Sequence, residues 1–485
     1  MSDHSDSMND LSVNRLPNGS PEEGSDTNPP LYNGIRGLAI KILTRVDRSD
    51  SWLDKLLENT LDREQLDVRD KRLLRELTSG VMRHRERLDW VLTGFYHGEF
   101  QKCIPTVKNA MRVALYQLLF LDRIPHSAAV NESVEIIKRL KGKRSAGIVN
   151  GVLRNIIRKL DAITWPDPNE NIIHFQSVME SHPQWMVKRW SERLGVEETA
   201  SLLKANNVRP TTSLRVNVQK TTVEHVKRDL MALGASVERS VLMPSYLHVR
   251  HIPDLGTTDV FKEGFVTAQD DGAGLAVLLS GAKPGMRVID LCAAPGGKST
   301  AMAELMRGEG EIIAIDKYEA KLKQLSETIT RCGFEQIIHP VVGDALTVEM
   351  EQADVVLLDA PCSGLGTLRR KPEIKWKRQP EEIRKLTELQ RELLERAMLL
   401  VKPNGVLVYT TCTTEPEENE MVIAQFLQQH PEFHIESAEQ FIPDSALRKG
   451  VVTDQGFLQV WPHRHGTDGA FGARLRKSLN SDREK

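Results

Sequence analysis

The sequence predicts a multidomain protein: an all-α module, a small α+β insert, and an α/β Rossmann-like domain filling the C-terminal half. Three observations carry this. Residues 34–160 repeat apolar side chains at intervals of three and four, the spacing of amphipathic helices, with almost no strand signal. From about residue 266, short apolar strands alternate with helical stretches, the pattern of a parallel sheet covered on both faces. Charge divides along the chain as well: residues 34–160 carry +10 although the whole protein is at −2. Such a basic module suits a polyanionic partner.

Residues 1–33 hold six acids against Arg15 alone, are rich in Ser, Asn, Asp, Gly and Pro, and are expected to be a disordered tail, as are residues 479–485. The start MSDHSDSMND lacks the basic and apolar regions of a secretory signal, and no run approaches the ~20 apolar residues of a membrane span. A cytoplasmic protein without a membrane partner is expected. Helices follow in GIRGLAIKILTRV, DKRLLRELTSGVMRHRERLDWVLTGF, TVKNAMRVALYQLLFL and NESVEIIKRL. Residues 136–160 contain eight Lys or Arg and no acid, which suits contact with a phosphate backbone. Over 161–265 a Trp- and Pro-punctuated connection leads to TSLRVNV, TTVEHVKRDLMALG and SYLHVRHI, a ferredoxin-like α+β pattern in which Arg215 and Asn217 either face RNA or belong to an ordinary strand surface.

In the last domain (266–478) the strands MRVIDLC, EIIAID, IIHPVV, ADVVLLDA and GVLVYTTC each end in a candidate functional residue. Ligands of such sheets bind beyond the carboxyl ends of the strands. The first strand runs into DLCAAPGGKST (290–300), whose Pro-Gly-Gly turn and following helix bring bare amides to a ligand. It is neither GxGxxG nor a Walker loop, so a dinucleotide or phosphate site is disfavoured. The second strand ends in Asp316, 26 residues after Asp290, where an acid suits a ribose; the third ends at Asp344, where one suits an adenine amino group. Each acid alone can be a helix cap. Together they point to an adenosine-containing cofactor.

The five cysteines (103, 292, 332, 362 and 412) include no CxxC pair, so neither a disulfide framework nor a metal site is expected, and Cys103 and Cys332 read as core residues. Cys362 ends the fourth strand (DAPCSGLG) and Cys412 the fifth (TTCTTEPEENE). Neighbouring strands lie about 4.8 Å apart, which brings both thiols to one crevice. A thiolate there serves a definite chemistry. Carbon 5 of cytosine is a poor nucleophile until a thiolate adds to carbon 6 and makes it enamine-like. Asp359 is placed to hold the ring at N3 or its amino group. Between the cysteines, LRRKPEIKWKR (368–378) interleaves six bases with Trp376, which suits a nucleic-acid strand with an extruded base.

DLCAAPGGKS, DAPCSGLGTLRRKPEIKW and YTTCTTEPEENE resemble the signature motifs of the Sun/RsmB family of RNA cytosine-5 methyltransferases. Residues 34–160 resemble a NusB-type RNA-binding domain, and PHRHGTDGAFGARLRK is similar to the family's C-terminal motif, with Ala470 where an aromatic is usual. The resemblance implies a class I methyltransferase fold and 5-methylcytosine formation in small-subunit (16S) rRNA. It implies an S-adenosylmethionine site at Cys292, Ala293, Ala294, Pro295, Gly296, Gly297 and Lys298 with Asp316, Asp344 and Asp359. It further implies Cys412 as nucleophile and Cys362 as the group that helps release product; the residues alone leave those two roles interchangeable. RNA is the expected partner, with no DNA and no obligate protein. Two rivals remain: a non-catalytic RNA-binding factor, which has no need of two cysteines and three acids, and an amino-directed methyltransferase, which usually carries an NPP[YF]-like motif where this chain has DAPC.

Overall fold

The computed structural model describes residues 32–252 and 254–479. The expected tails therefore lie almost wholly outside the described residues.

The N-terminal module is helical throughout, with long helices Gly34–Arg48, Leu53–Arg63, Val68–Arg83, Arg85–Phe95, Pro105–Phe120 and His126–Arg158. Their apolar faces meet in one core that includes Leu38, Leu43, Leu74, Leu77, Met111, Leu115, Ile137 and Leu153. Pro105 opens its helix at the first turn, where no amide hydrogen is needed. The last helix bends at Gly142, whose φ of 80° only glycine adopts freely. Within the core, Arg112 is buried but forks onto Asp89 at 2.7 and 2.6 Å and reaches Asp47 at 3.1 Å, so its charge is paired.

Helices Ile172–Met179, Gln184–Leu194 and Val196–Asn207 follow. Met186, Val187, Trp190, Leu202 and Leu203 pack with Leu365, Leu368, Ile374 and Trp461, so this connection belongs to the wall of the last domain. The insert comprises β1 (Thr212–Val216), a helix Val223–Ala232, β2 (Ser236–Arg239), β3 (Tyr246–Arg250), one turn Asp259–Lys262, and β4 (Val266–Ala268). All pairings are antiparallel in the order β4-β1-β3-β2, the ferredoxin-like arrangement.

The last domain contains β5 (Arg287–Leu291), β6 (Glu311–Asp316), β7 (Ile338–Val342), β8 (Ala353–Asp359), β9 (Val401–Thr411), β10 (Phe433–Glu436), β11 (Leu458–Val460) and β12 (Ala470–Lys477). Its sheet runs β7-β6-β5-β8-β9-β12-β10, with β11 paired to β12. The five expected strands are parallel neighbours. The sheet is not wholly parallel, however. The chain returns as β12, antiparallel to both β9 and β10, and closes that edge. Strand order reverses at β5, so the crevice beyond β5 and β8 is the topological switch point where such sheets bind ligands. Register pairs Asp359 with Thr410, which sets the loops that follow β8 and β9 side by side.

Candidate active site

The turn after β5 is built around Gly296. Its φ is +100°, and a Cβ there would stand 2.3 Å from Leu325 Cδ1. Helix Gly297–Leu305 starts directly behind it, so the first-turn amides line the crevice. Asp290 lies beneath the turn. It accepts from Ser299 Oγ at 2.5 Å, and burial pushes it up to about 7. Burial also raises the Cys292 thiol to about 12, so this cysteine stays protonated and inert at neutral pH.

Among the strand-end acids, Asp316 is buried and accepts from the Tyr318 amide at 3.0 Å. Asp344 is exposed and accepts from the Leu346 amide at 3.0 Å, the local turn bond open to any such acid. Asp359 accepts from Lys298 Nζ at 2.6 Å and from Thr410 Oγ1 at 3.1 Å. Burial alone would weaken the Lys298 ammonium, but Asp359 beside it more than offsets that and holds it charged. Lys298 and Asp359 are thus one ion-paired unit joining the β5 turn to the end of β8.

The two thiols meet. Cys362 Sγ lies 3.2 Å from Cys412 Sγ and 3.4 Å from the Cys412 amide nitrogen. Their environments push them apart. The hydrogen bond to Cys362 lowers the Cys412 thiol below its ordinary value, and Lys298 and Lys371 add positive potential. Cys362 is raised well above the ordinary thiol value by that same bond, by burial and by nearby Glu418. Cys412 is the exposed member of the pair.

Glu418, in the motif after Cys412, holds both loops. Its carboxylate accepts from the Ser363 amide at 2.8 Å, Ser363 Oγ at 2.5 Å and Gln390 Nε2 at 3.0 Å. Asn419 accepts from Thr411 Oγ1 at 2.6 Å and donates to the Thr413 carbonyl at 3.1 Å, fixing both neighbours of Cys412. Gly366 passes so close that its amide donates to the Cys412 carbonyl at 3.1 Å, while Gly469 donates to the Gly366 carbonyl at 2.8 Å. Neither Glu418 nor Asn419 stood out from the sequence; their signal was the run EPEENE beside the thiol.

The RNA contact expected of residues 368–378 is corrected, and the alternative left open for Arg215 and Asn217 is decided. In LRRKPEIKWKR, Trp376 donates to the Met82 carbonyl at 2.6 Å, and Lys375 is fully buried, donating to Asn207 Oδ1 at 2.7 Å and to the carbonyls of Arg83 and Ser181. Arg370 pairs with Asp270 and Asp468 at 2.9 and 2.6 Å. Trp376 and Lys375 thus dock the last domain onto the helical one, while Lys371 of the same segment stays exposed. Arg215 and Asn217 are also buried, inside the junction of the insert with the last domain. By contrast, Lys138, Arg139, Lys141, Lys143, Arg144, Arg154, Arg158 and Lys159 are all exposed. Cys103 and Cys332 are buried, as core residues should be.

Comparison with known proteins adds the family. Residues 33–158 match the NusB family, 182–254 the RsmF/B-like ferredoxin-like domain, and 277–476 the 16S rRNA methyltransferase RsmB/F family. The chain is 36% identical over 448 residues to the probable ribosomal RNA small subunit methyltransferase B of Bacillus subtilis (strain 168), covering 91% of this chain and 98% of that one. The chain belongs to the RsmB family. It is therefore a methyltransferase of small-subunit rRNA, and the family takes its methyl group from S-adenosylmethionine. The RsmB relative of Pasteurella multocida (strain Pm70) is 33% identical, covering 92% of this chain and 96% of that one. Among solved structures, PH0851 is 31% identical with a TM-score of 0.76, covering 93% of this chain and 99% of that one. No helix among the described residues is long and apolar enough to cross a membrane.

Proposed function

We propose that this RsmB-family enzyme forms 5-methylcytosine in 16S rRNA through a covalent adduct between Cys412 and carbon 6 of the target ring. The observation that carries this is the 3.2 Å thiol pair with its opposed acidities, at the carboxyl ends of adjacent strands. An amino group can be methylated without a thiol; carbon 5 cannot, because it needs the enamine character that thiolate addition supplies.

The residues divide the work as follows. The Cys412 thiolate forms the bond to carbon 6, and the electron pair displaced to carbon 5 would form the new bond to the methyl group as the bond from that methyl to the donor's sulfur breaks and the sulfur leaves as a thioether. Asp359 hydrogen-bonds the ring at N3 or its amino group and stabilises the adduct. Loss of the carbon 5 proton to water then returns the electrons, the sulfur–carbon bond breaks, and Cys362 assists this release of the Cys412 thiolate. S-adenosylmethionine supplies the electrophilic methyl group when bound. The turn fits such a donor, because Gly296, at a φ of +100°, takes a backbone conformation that favours glycine and leads into the first-turn amides of the helix. We assign donor binding to residues 292–298 with Asp316, Asp344 and Asp359. The substrate is RNA rather than DNA, engaged in the cytoplasm without an obligate protein partner, and the exposed cations of residues 138–159 fit its phosphate backbone.

The test is bisulfite sequencing of 16S rRNA after incubation with enzyme and donor. One cytosine that resists conversion is expected. Methyl incorporation with every cytosine still convertible would overturn the reading in favour of an amino-directed methyltransferase.

A further inference from the structure

The insert sheet sends one side chain into the last domain. Arg215 projects from β1 one residue before its end, is 3% exposed, and ends on the helix that carries the methyl-donor turn. Its guanidinium donates to the Gly297 carbonyl at 2.7 Å, to Thr300 Oγ1 at 2.8 Å, to Glu304 Oε1 at 3.1 Å and to Gln269 Oε1 at 2.5 Å. Gln269 Oε1 also accepts from Tyr246 Oη of β3 at 2.7 Å, which holds the amide in place. Three of the four acceptors lie on one helix, at its first residue, its first turn and its last turn.

Helix electrostatics do not explain this arrangement. A cation is unfavourable at a helix N-terminus and an anion at the C-terminus, yet Arg215 sits at the first turn and Glu304 near the last. Burial pushes Glu304 up to about 7, with Arg215 pulling the other way. A buried pair of this kind adds little net stability compared with apolar packing, whereas a planar fork with four acceptors fixes position closely. Lys298 begins one residue after the gripped carbonyl, and its ammonium reaches Asp359 at 2.6 Å. Moving the helix would therefore shift the donor turn, Lys298 and Asp359 together.

We propose that Arg215 is a positioning residue for methyl-donor binding: the insert uses it to set the height of helix Gly297–Leu305 against the ends of β5 and β8. This rests on the assignment of residues 292–298 and Asp316 to the donor site. Arg215 touches neither donor nor RNA; it acts through Gly297 and Thr300.

The test compares Arg215→Met, Arg215→Lys and Thr300→Val in the full-length enzyme, measuring KM for S-adenosylmethionine, kcat at saturating donor, and RNA affinity. Arg215→Met is expected to raise the donor KM about tenfold or more, the loss of at least one charge-assisted hydrogen bond, with RNA affinity unchanged. Arg215→Lys retains the charge and restores part of the loss. Thr300→Val removes one acceptor together with the hydrogen bond that Thr300 Oγ1 donates to the Gly296 carbonyl at 2.9 Å, keeps the fold, and raises the donor KM by a smaller factor. A donor KM within twofold of wild type in both Arg215→Met and Thr300→Val would overturn the proposal. So would equal losses of donor and RNA affinity in Thr300→Val, which mark general disruption. Should Arg215→Met not fold, Thr300→Val decides alone. Asp316→Asn separates the two layers: if it too leaves donor KM unchanged, the donor-site assignment has failed, whereas if it raises KM while the Arg215 and Thr300 variants do not, only the role of Arg215 falls.

Discussion

Ser363 Oγ and Thr413 Oγ1 lie 2.8 Å apart, and each belongs to the residue that follows one of the paired cysteines. With Glu418 gripping Ser363 twice, this bond ties the loop after β8 to the loop after β9 from beneath. The spacing of the thiols is thus set by neighbours that are not thiols. Either cysteine can be removed without releasing the other, and single substitutions report on chemistry instead of collapse.

On that basis Cys412→Ala is expected to abolish methyl transfer and form no adduct, while Cys362→Ala accumulates a protein–RNA species that survives denaturing electrophoresis. The hydrogen bond to Cys362 lowers the Cys412 pKa and raises that of Cys362, so of the two thiols Cys412 is the readier to ionise, and the protonated Cys362 is suited to assist release. An adduct from Cys412→Ala alone would exchange the two roles. If neither variant traps RNA that the wild type methylates, the covalent route is wrong.

Gly366→Ala tests the same spacing sterically. A Cβ at Gly366 would stand 2.6 Å from the Gly469 carbonyl oxygen and 2.8 Å from that of Cys412, both backbone atoms that cannot rotate away. The Cys412 loop must shift. Misplacement of a reacting group by about 1 Å can cost about a hundredfold in rate, so kcat is expected to drop by that order. Donor affinity, measured by calorimetry, should hold, because the atoms nearest that Cβ belong to Gly469 and Cys412 and not to the β5 turn. A kcat within threefold of wild type would show that the loop has slack.

Much of this site could be read in the sequence because its signals are local. Apolar runs of strand length, each ending in Asp, Gly-Asp or Cys, locate β5 to β9, and two cysteines at adjacent strand ends predict a pair. Trp376 and Lys375 were misread for the opposite reason. A basic stretch with an aromatic looks the same whether it meets RNA or another domain, and the acceptors that decide the matter, the carbonyls of Met82 and Arg83, lie 294 and 292 residues away. Arg215 likewise declares its role only through Gly297 and Thr300, 82 and 85 residues on. Strand β12 was missed because its neighbour β9 is reached only after some 60 residues of other structure. Asp344 shows the reverse limit: one of its carboxylate oxygens accepts from its own turn, a bond open to any such acid, so position alone does not single out a role toward adenine.

The docked segment should also make the domain junction sensitive to pH. Burial pushes Glu373 up to about 7 from 4.5, and Asp54 raises it further while Lys371 opposes. Below 4.5 both folded and unfolded chains carry the proton, and no penalty exists. Between 4.5 and 7 the unfolded chain loses it first, so folding grows less favourable as pH rises, and above 7 the full cost is present. By linkage that cost amounts to about 3 kcal/mol. Glu373→Gln should remove this part of the slope: its stability relative to wild type rises between pH 5 and pH 8, as read from thermal unfolding midpoints. Parallel curves for the two proteins would contradict the assignment.

The last prediction concerns where RNA is held. The bend at Gly142 folds the two halves of the long helix around a groove of about 560 Å3, lined by Asn131 and Lys138 on one side and by Lys143, Asn150 and Arg154 on the other. Gly147 leaves bare backbone along its floor, with nothing within 4 Å of where a Cβ would sit. Among the described residues, Lys138 is the one lining cation in a salt bridge, with Glu135 at 3.3 Å, which leaves Lys143 and Arg154 for phosphates. Each phosphate contact releases condensed counterions, and its loss lowers the salt dependence of binding by about one in log–log slope. Lys143→Gln combined with Arg154→Gln is therefore expected to weaken rRNA affinity at moderate salt and to reduce that slope by about two, leaving donor KM unchanged. An unaltered slope would move the RNA path off this face and onto the remaining cations of the helical module.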